Sequence, residues 1–123
     1  MHEREHTLAR AGHPPIKFTG VVIGEATTGE DLHPFLIVRI YRTKGGKYVA
    51  EIQRKTDHPR RIYMVPDAAP AYYRNSAVCS TPEEVFTWLK EGEDSLGQYS
   101  QMAIEMACEK DEAFKSAWVE VVD

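Results

Sequence analysis

Three parts of this sequence hold residue types from which catalysis, metal binding or nucleic-acid recognition can be built. The first is the string His2-Glu3-Arg4-Glu5-His6, a literal H-E-x-x-H. On a helix, that spacing stacks the imidazoles of His2 and His6 on one face for zinc and sets a glutamate as general base. The surroundings do not suit that chemistry. The string stands in a polar stretch and in no apolar helix. Ala9 and Gly12 stand where an extended zinc motif would place a glycine and a third histidine. The expectation is a flexible polar tail over residues 1–15, with His2 and His6 as weak metal candidates and no cofactor.

The second part is a set of histidines that precede proline: His13, His33 and His58. Proline pushes its predecessor to extended conformations, so these residues mark entries into strands. In an up-and-down meander the second and fourth strands begin at the same end, which brings His33 and His58 toward Asp57, Asp31 and Glu30. Imidazole beside carboxylate can move protons or hold a metal. His33, His58 and Asp57 are therefore the candidate catalytic residues of a small acid–base or metal-dependent enzyme. The plainer reading makes them solvated loop residues.

The third part is residues 39–74, which carry nine Lys/Arg against three Asp/Glu, with Tyr41, Tyr48, Tyr63, Tyr72 and Tyr73 interleaved. Cations of this kind neutralise phosphates while rings stack on bases. The candidate nucleic-acid contacts are Arg54, Lys55, Arg60, Arg61, Tyr72, Tyr73 and Arg74. Two things weigh against them: Tyr41 and Tyr48 fall on an expected core face, and the segment that follows is strongly acidic. Cys79 precedes a helix start, where the macrodipole can lower a thiol pKa. Its neighbours Ala77 and Val78 make it read as a small buried apolar group, and Cys108 reads the same way.

The elements that must position these residues follow from pattern. Residues 16–24 read as a strand, with Gly20 as a bulge or a close approach. Residues 35–42 are apolar on both faces, as in a central strand. Lys44-Gly45 is read as a two-residue hairpin loop that sets Tyr41 opposite Tyr48 and Ile37 opposite Ile52 on residues 47–54. Residues 60–65 are expected to be a fourth strand, 66–75 a loop and 76–79 a short fifth strand. Thr81-Pro82-Glu83-Glu84 marks a helix start with a Thr N-cap, Pro at the first helical position and Glu three residues after the cap. Ser95-Leu96-Gly97-Gln98 repeats the pattern, and a last helical segment covers 111–120.

Strands followed by helices give an α+β class: four or five antiparallel strands in the N-terminal two-thirds, with two or three C-terminal helices packed on one face. At 123 residues, 42% hydrophobic and 28% charged, the chain fits one ordinary globular domain, expected over 16–123. No apolar run approaches a membrane span. Two cysteines are too few for a disulfide framework, which favours a cytoplasmic location.

Charge is segregated: −2 over residues 1–38, +6 over 39–74 and −8 over 75–123. Either the layers of one domain attract each other or a charged partner binds. The function expected is a non-enzymatic interaction or regulatory module that binds another protein. The alternatives are a nucleic-acid-associated protein using 39–74, and the small enzyme built on His33, His58 and Asp57. Edge strands in a small sheet also permit a homodimer.

Overall fold

The computed structural model of the chain describes residues 3–10, 12–28, 35–55, 72–92 and 97–119. The described elements are β1 (Arg4–Arg10), β2 (His13–Thr27), β3 (Phe35–Thr43), β4 (Tyr48–Lys55), β5 (Tyr72–Cys79), α1 (Pro82–Gly92), α2 (Gln98–Lys110) and α3 (Glu112–Ala117). The five strands form one antiparallel sheet in sequential order, and the helices follow them. This is the α+β architecture expected.

Three expectations for the strands are corrected. The polar stretch read as a tail forms β1 instead. Alternation explains it: His6 and Leu8 face inward while Glu5 and Thr7 face water. The His6 ring stacks on Phe18 and tilts against Tyr41, with centroids 5.1 and 4.9 Å away. The Pro14-Pro15 pair lies in the half of β2 that pairs only with β1, at a register shift between Leu8 and Arg10. Proline is tolerated at such irregularities. The second correction is β5, which runs from Tyr72 rather than from Ser76. Residues 60–65 lie outside those described.

The β3–β4 hairpin is also one residue out of the expected register. Arg42 pairs with Tyr48, Tyr41 with Val49 and Ile37 with Gln53. The loop has three residues, not two. The Thr43 amide donates to the Lys47 carbonyl at 2.8 Å, the Lys47 amide donates to Thr43 Oγ1 at 2.9 Å, and Gly46 takes φ +85°. A tight turn closed by a left-handed glycine is a stable hairpin solution, and Gly46 supplies that conformation without a Cβ penalty. A one-residue shift moves side chains across the sheet. Tyr41 and Tyr48 therefore lie on opposite faces, and both are buried.

The helix-side face carries the larger core, with Ile23, Val38, Ile40, Tyr48, Ala50 and Ile52 under Val85, Leu89, Ala103, Ile104, Ala107 and Phe114. The other face holds Leu8, Ile16, Tyr41 and Val49, with Phe18 and Val22 against them. The β1–β2 hairpin covers that second face because the sheet curls. Gly20 pairs with both Arg4 and Thr43, and a Cβ there would meet the Arg42 carbonyl oxygen. The curl brings β1 back toward β5, where Ser76 Oγ donates to the Ala9 carbonyl at 2.8 Å. A register shift between Val22 and Gly24 makes Ile23 the extra residue of a bulge. A Cβ on Gly24 would fall on the Ala103 carbonyl oxygen, so this glycine lets α2 lie close on β2.

The helix starts follow the sequence in part. Thr81 Oγ1 accepts from the Glu84 amide at 3.2 Å, and Glu84 Oε2 accepts from the Ser80 amide at 2.7 Å. The expected Ser95 cap lies outside the described residues. The residue before α2 is Gly97, which makes no side-chain cap. The last helix is shorter than 111–120. Asp111 caps it by accepting from the Phe114 amide, and Trp118 and Val119 lie beyond its end. No described helix is long and apolar enough to cross a membrane.

Candidate functional site

Among the described residues, three places gather chemistry-bearing side chains. The deepest is on the covered face, around Glu51. The β4 alternation turns Val49, Glu51 and Gln53 to the side that β1 and β2 cover. Glu51 is only 1% exposed. Its Oε1 accepts from the Tyr41 hydroxyl at 3.1 Å and its Oε2 from the Gln53 amide at 3.1 Å. Arg39 Nη1 and Arg74 Nη2 lie 3.7 and 3.6 Å from the two carboxylate oxygens. Arg39 also donates to Glu25 Oε2 at 2.5 Å. Burial, and then the Glu51 charge, push the Tyr41 phenol well above its ordinary range. Tyr41 is thus a hydrogen-bond donor at neutral pH and no base. The arrangement neutralises a buried carboxylate and ties four strands together, because Glu25, Arg39, Glu51 and Arg74 come from β2, β3, β4 and β5.

The second place joins the helices to the sheet. Asp111 accepts from the Tyr48 hydroxyl at 3.2 Å, from Arg42 Nη1 at 3.2 Å and from the Phe114 amide at 3.1 Å. Burial and the neighbouring Asp111 raise the Tyr48 pKa. Tyr48 also meets Phe114 edge-on at 5.0 Å. This pair spends one cation of the basic middle on one anion of the acidic end, so here the segregated charges do attract each other.

The third place is a surface groove of about 340 Å³ between β5 and α1, lined by Ala77, Val78, Cys79, Glu83, Glu84, Thr87, Trp88 and Glu91. Spacing explains its helical wall. Glu83, Thr87 and Glu91 recur every four residues, as do Glu84 and Trp88, while Val85 and Leu89 point into the core. Val78 is 49% exposed, but it pairs with Val49 and its side chain lies on the other face of the sheet, whereas Ala77 and Cys79 pair with Ala50 and Tyr48 on the helix side. Burial, and then Glu84, push the Cys79 thiol up to about 11. Cys79 is therefore protonated at neutral pH and adds an uncharged, apolar part to the wall, as the sequence suggested. Among the described residues, the lining carries three glutamates and no lysine or arginine. A second, larger hollow of about 500 Å³ sits at the α2–α3 corner. Its lining mixes signs, with Glu109, Glu112 and Asp111 beside Lys110 and Lys115.

The candidates from the sequence are distributed unevenly over these places. His33, Asp57, His58, Arg60, Arg61 and His2 lie outside the described residues. His6 is described, and it sits in a strand. The helical stacking that an H-E-x-x-H zinc site requires is therefore absent from Arg4–Arg10. Its Nε2 lies 3.3 Å from the Gly20 carbonyl oxygen. Among the described residues, no three His, Cys, Asp or Glu side chains converge as a metal site. Arg54 and Lys55 stand at the end of β4, Lys55 exposed. Arg74 turns toward Glu51. Tyr72 and Tyr73 are backbone members of β5, and their side chains lie outside the description. Sequence reasoning missed the buried Glu51 and the groove. The signal for Glu51 was available, since Arg39 stands directly across from it in the true register. No known family model, characterised protein or solved structure matches the chain.

Proposed function

We propose that the chain is a non-enzymatic interaction module that binds another protein through its charge-segregated surface. One observation carries this reading: large apolar side chains stand exposed among exposed glutamates on the helical side. Met102 and Met106 are 46% and 38% exposed on α2, one helical turn apart and next to Glu105 and Glu109. Apolar groups set in a polar rim are the composition of a protein-binding surface. The cations Arg39, Arg42 and Arg74 are directed to Glu51, Glu25 and Asp111, while the described acids of the helices other than Asp111 are all exposed.

The test is affinity capture from the native host, followed by reconstitution with the purified partner. The expected result is a complex of fixed stoichiometry that weakens as salt rises. Charge reversal of glutamates on α1 or α2 should disrupt it. A captured protein that fails to rebind when purified, or that binds charge-reversed and native chains equally, overturns the reading. A complex containing only this chain would assign the surface to self-association.

A further inference from the structure

We infer that the β1–β2 hairpin, residues 4–19, is a flap that lifts about Gly20 while the rest of the fold stays closed, and that lifting uncovers the cluster around Glu51. The inference concerns a motion of the fold itself and does not depend on the protein-binding reading. Pairing defines the flap. β2 changes partner at Gly20: the residues before it pair only with β1, the residues after it only with β3, and Gly20 pairs with both Arg4 and Thr43. The backbone ladder of the hairpin is therefore closed on itself. Hydrogen bonds fasten it near both ends. The Lys44 amide donates to the Thr19 carbonyl at 2.8 Å, and Ser76 Oγ donates to the Ala9 carbonyl at 2.8 Å. A change of partner at a small residue is a place where a hinge can act.

Packing makes the hairpin the weaker side of the fold. It covers its face with Leu8 and Ile16, both buried, and with His6 and Phe18, which are half-buried. These meet Tyr41 and Val49 in a small cluster separate from the larger one under the helices. Elements held by few buried apolar groups open as units at lower free energy than the whole domain. What lies beneath the flap favours the same outcome. Glu51 is buried there, with Tyr41, Gln53, Arg39 and Arg74 around it. A carboxylate and its polar partners regain hydration when water reaches them, which offsets part of the cost of lifting. The aliphatic core under Leu89 and Ile104 gains nothing from water. Opening is therefore easier on the hairpin side than on the helix side.

The experiment is thiol labelling of the full chain with iodoacetamide at low urea concentrations. Cys108→Ser is made throughout, so that one buried thiol remains in each protein. Native Cys79 reports the helix-side core. Val49→Cys with Cys79→Ala reports the face under the flap, where Val49 is fully buried. Urea unfolding of each variant gives the labelling rate that global unfolding alone would allow. Position 49 should label at least about tenfold faster than that rate, with little dependence on urea. Cys79 should label at the global rate and accelerate steeply with urea. Ile104→Val weakens the helix-side core and should speed Cys79 labelling about fivefold while leaving position 49 within about twofold. Leu8→Ala should speed labelling at position 49 by about thirtyfold, the lower end for truncating a buried leucine. Ile16→Val, at about fivefold, gives the same reading with a milder change.

Labelling of position 49 only at the global rate would overturn the inference. So would a response of position 49 to Ile104→Val as large as that of Cys79, because both faces would then open in one event. Fast labelling at position 49 that ignores both Leu8→Ala and Ile16→Val would assign the motion to an element other than the hairpin. Equal labelling of position 49 and Cys79 in excess of the global rate would place the opening in β4 and β5, against the flap.

Discussion

Glu51 is the residue on which the covered face depends most, and a double-mutant cycle with Tyr41 measures how much. Glu51→Gln keeps the shape and removes the charge. Loss of one member of a buried ion pair costs about 3–5 kcal/mol when both partners are desolvated. Here the two guanidinium partners are 31% and 36% exposed and stand 3.7 and 3.6 Å away. Water screens them, and the expected cost falls to about 2 kcal/mol. Tyr41→Phe removes a 3.1 Å hydrogen bond to the carboxylate. That loss is worth about 1.5 kcal/mol, the lower end for a charged acceptor, because Gln53 still donates to the same group. In the Glu51→Gln background the acceptor is neutral, and the same change should cost only about 0.5 kcal/mol. The coupling is then about 1 kcal/mol. Urea unfolding followed by fluorescence of Trp88 and Trp118 gives all four free energies, with the m-value as a check on two-state behaviour. A Glu51→Gln loss below about 0.5 kcal/mol would mean that the carboxylate is not held as an ion-paired, hydrogen-bonded anion. Coupling indistinguishable from zero would mean that Tyr41 and Glu51 do not share a bond in solution.

Three further outcomes follow from the same structure. Gly24→Ala puts a methyl onto the Ala103 carbonyl, a backbone atom that cannot swing aside. It should destabilise by about 2–3 kcal/mol in urea unfolding, and a loss under about 0.5 kcal/mol would show that α2 does not lie on β2 as described. Asp111→Ala removes the α3 cap and the partner of Tyr48 and Arg42 together. It should cost about 2–3 kcal/mol, with Asp111→Asn recovering roughly half by retaining an N-cap acceptor. Tyr41, Tyr48, Cys79 and Cys108 all have folded-state pKa values above the ordinary ones, with burial the largest cause in each. The folded state therefore holds these protons more tightly than the unfolded chain. Their stabilisation is complete below the ordinary thiol value of 9.0 and the ordinary phenol value of 10.0. It is lost as pH rises through the folded values. Urea midpoints should fall above about pH 9, and Tyr41→Phe should flatten the fall. A midpoint flat through the alkaline range would refute the shared burial.

Sequence patterns close to the backbone were the readable ones. Thr81, Pro82 and Glu84 act within one turn of each other, so the start of α1 is visible without any tertiary context. The central position of β3 was equally plain, because Leu36, Val38 and Ile40 alternate with Ile37 and Tyr41 and each set needs a cover. Register was harder. Gly45 and Gly46 both permit a left-handed turn residue, and counting apolar matches favoured the shorter loop. The choice is made by Thr43, whose hydroxyl and backbone close the turn around Lys47 and leave Gly46 at positive φ. Charge pairing carried the missing information. In the shorter-loop register Arg39 would oppose Ala50, and in the true one it opposes Glu51. Opposite charges directly across a sheet stabilise it, and the shorter loop forfeits that pair.

The misread tail and the unnoticed Glu51 have a single physical origin. A strand such as β1 has little apolar content of its own, with only Leu8 fully inward and His6 beside it. It is stable because it covers something, and what it covers is the face of Tyr41, Val49 and Glu51. With the first residues assigned to solvent, that face has no cover, and a glutamate on it reads as an ordinary exposed charge. With β1 and the first half of β2 folded over it, the same glutamate is buried and must be matched. Arg39, Arg74, Tyr41 and Gln53 then become its partners rather than surface groups available to phosphate. The basic character of residues 39–74 is to that extent compensated within the fold, since three of its arginines are directed to the carboxylates of Glu25, Glu51 and Asp111. The acidic character of residues 75–123 is less compensated. Only Asp111 among the described acids of that segment is buried. Charge segregation along the chain thus becomes, after folding, an asymmetry of pairing: Arg39, Arg42 and Arg74 meet carboxylates of the fold, while the described acids of the helices other than Asp111 stand exposed. An outward acidic surface with apolar side chains set into it is where a partner of opposite charge would be met.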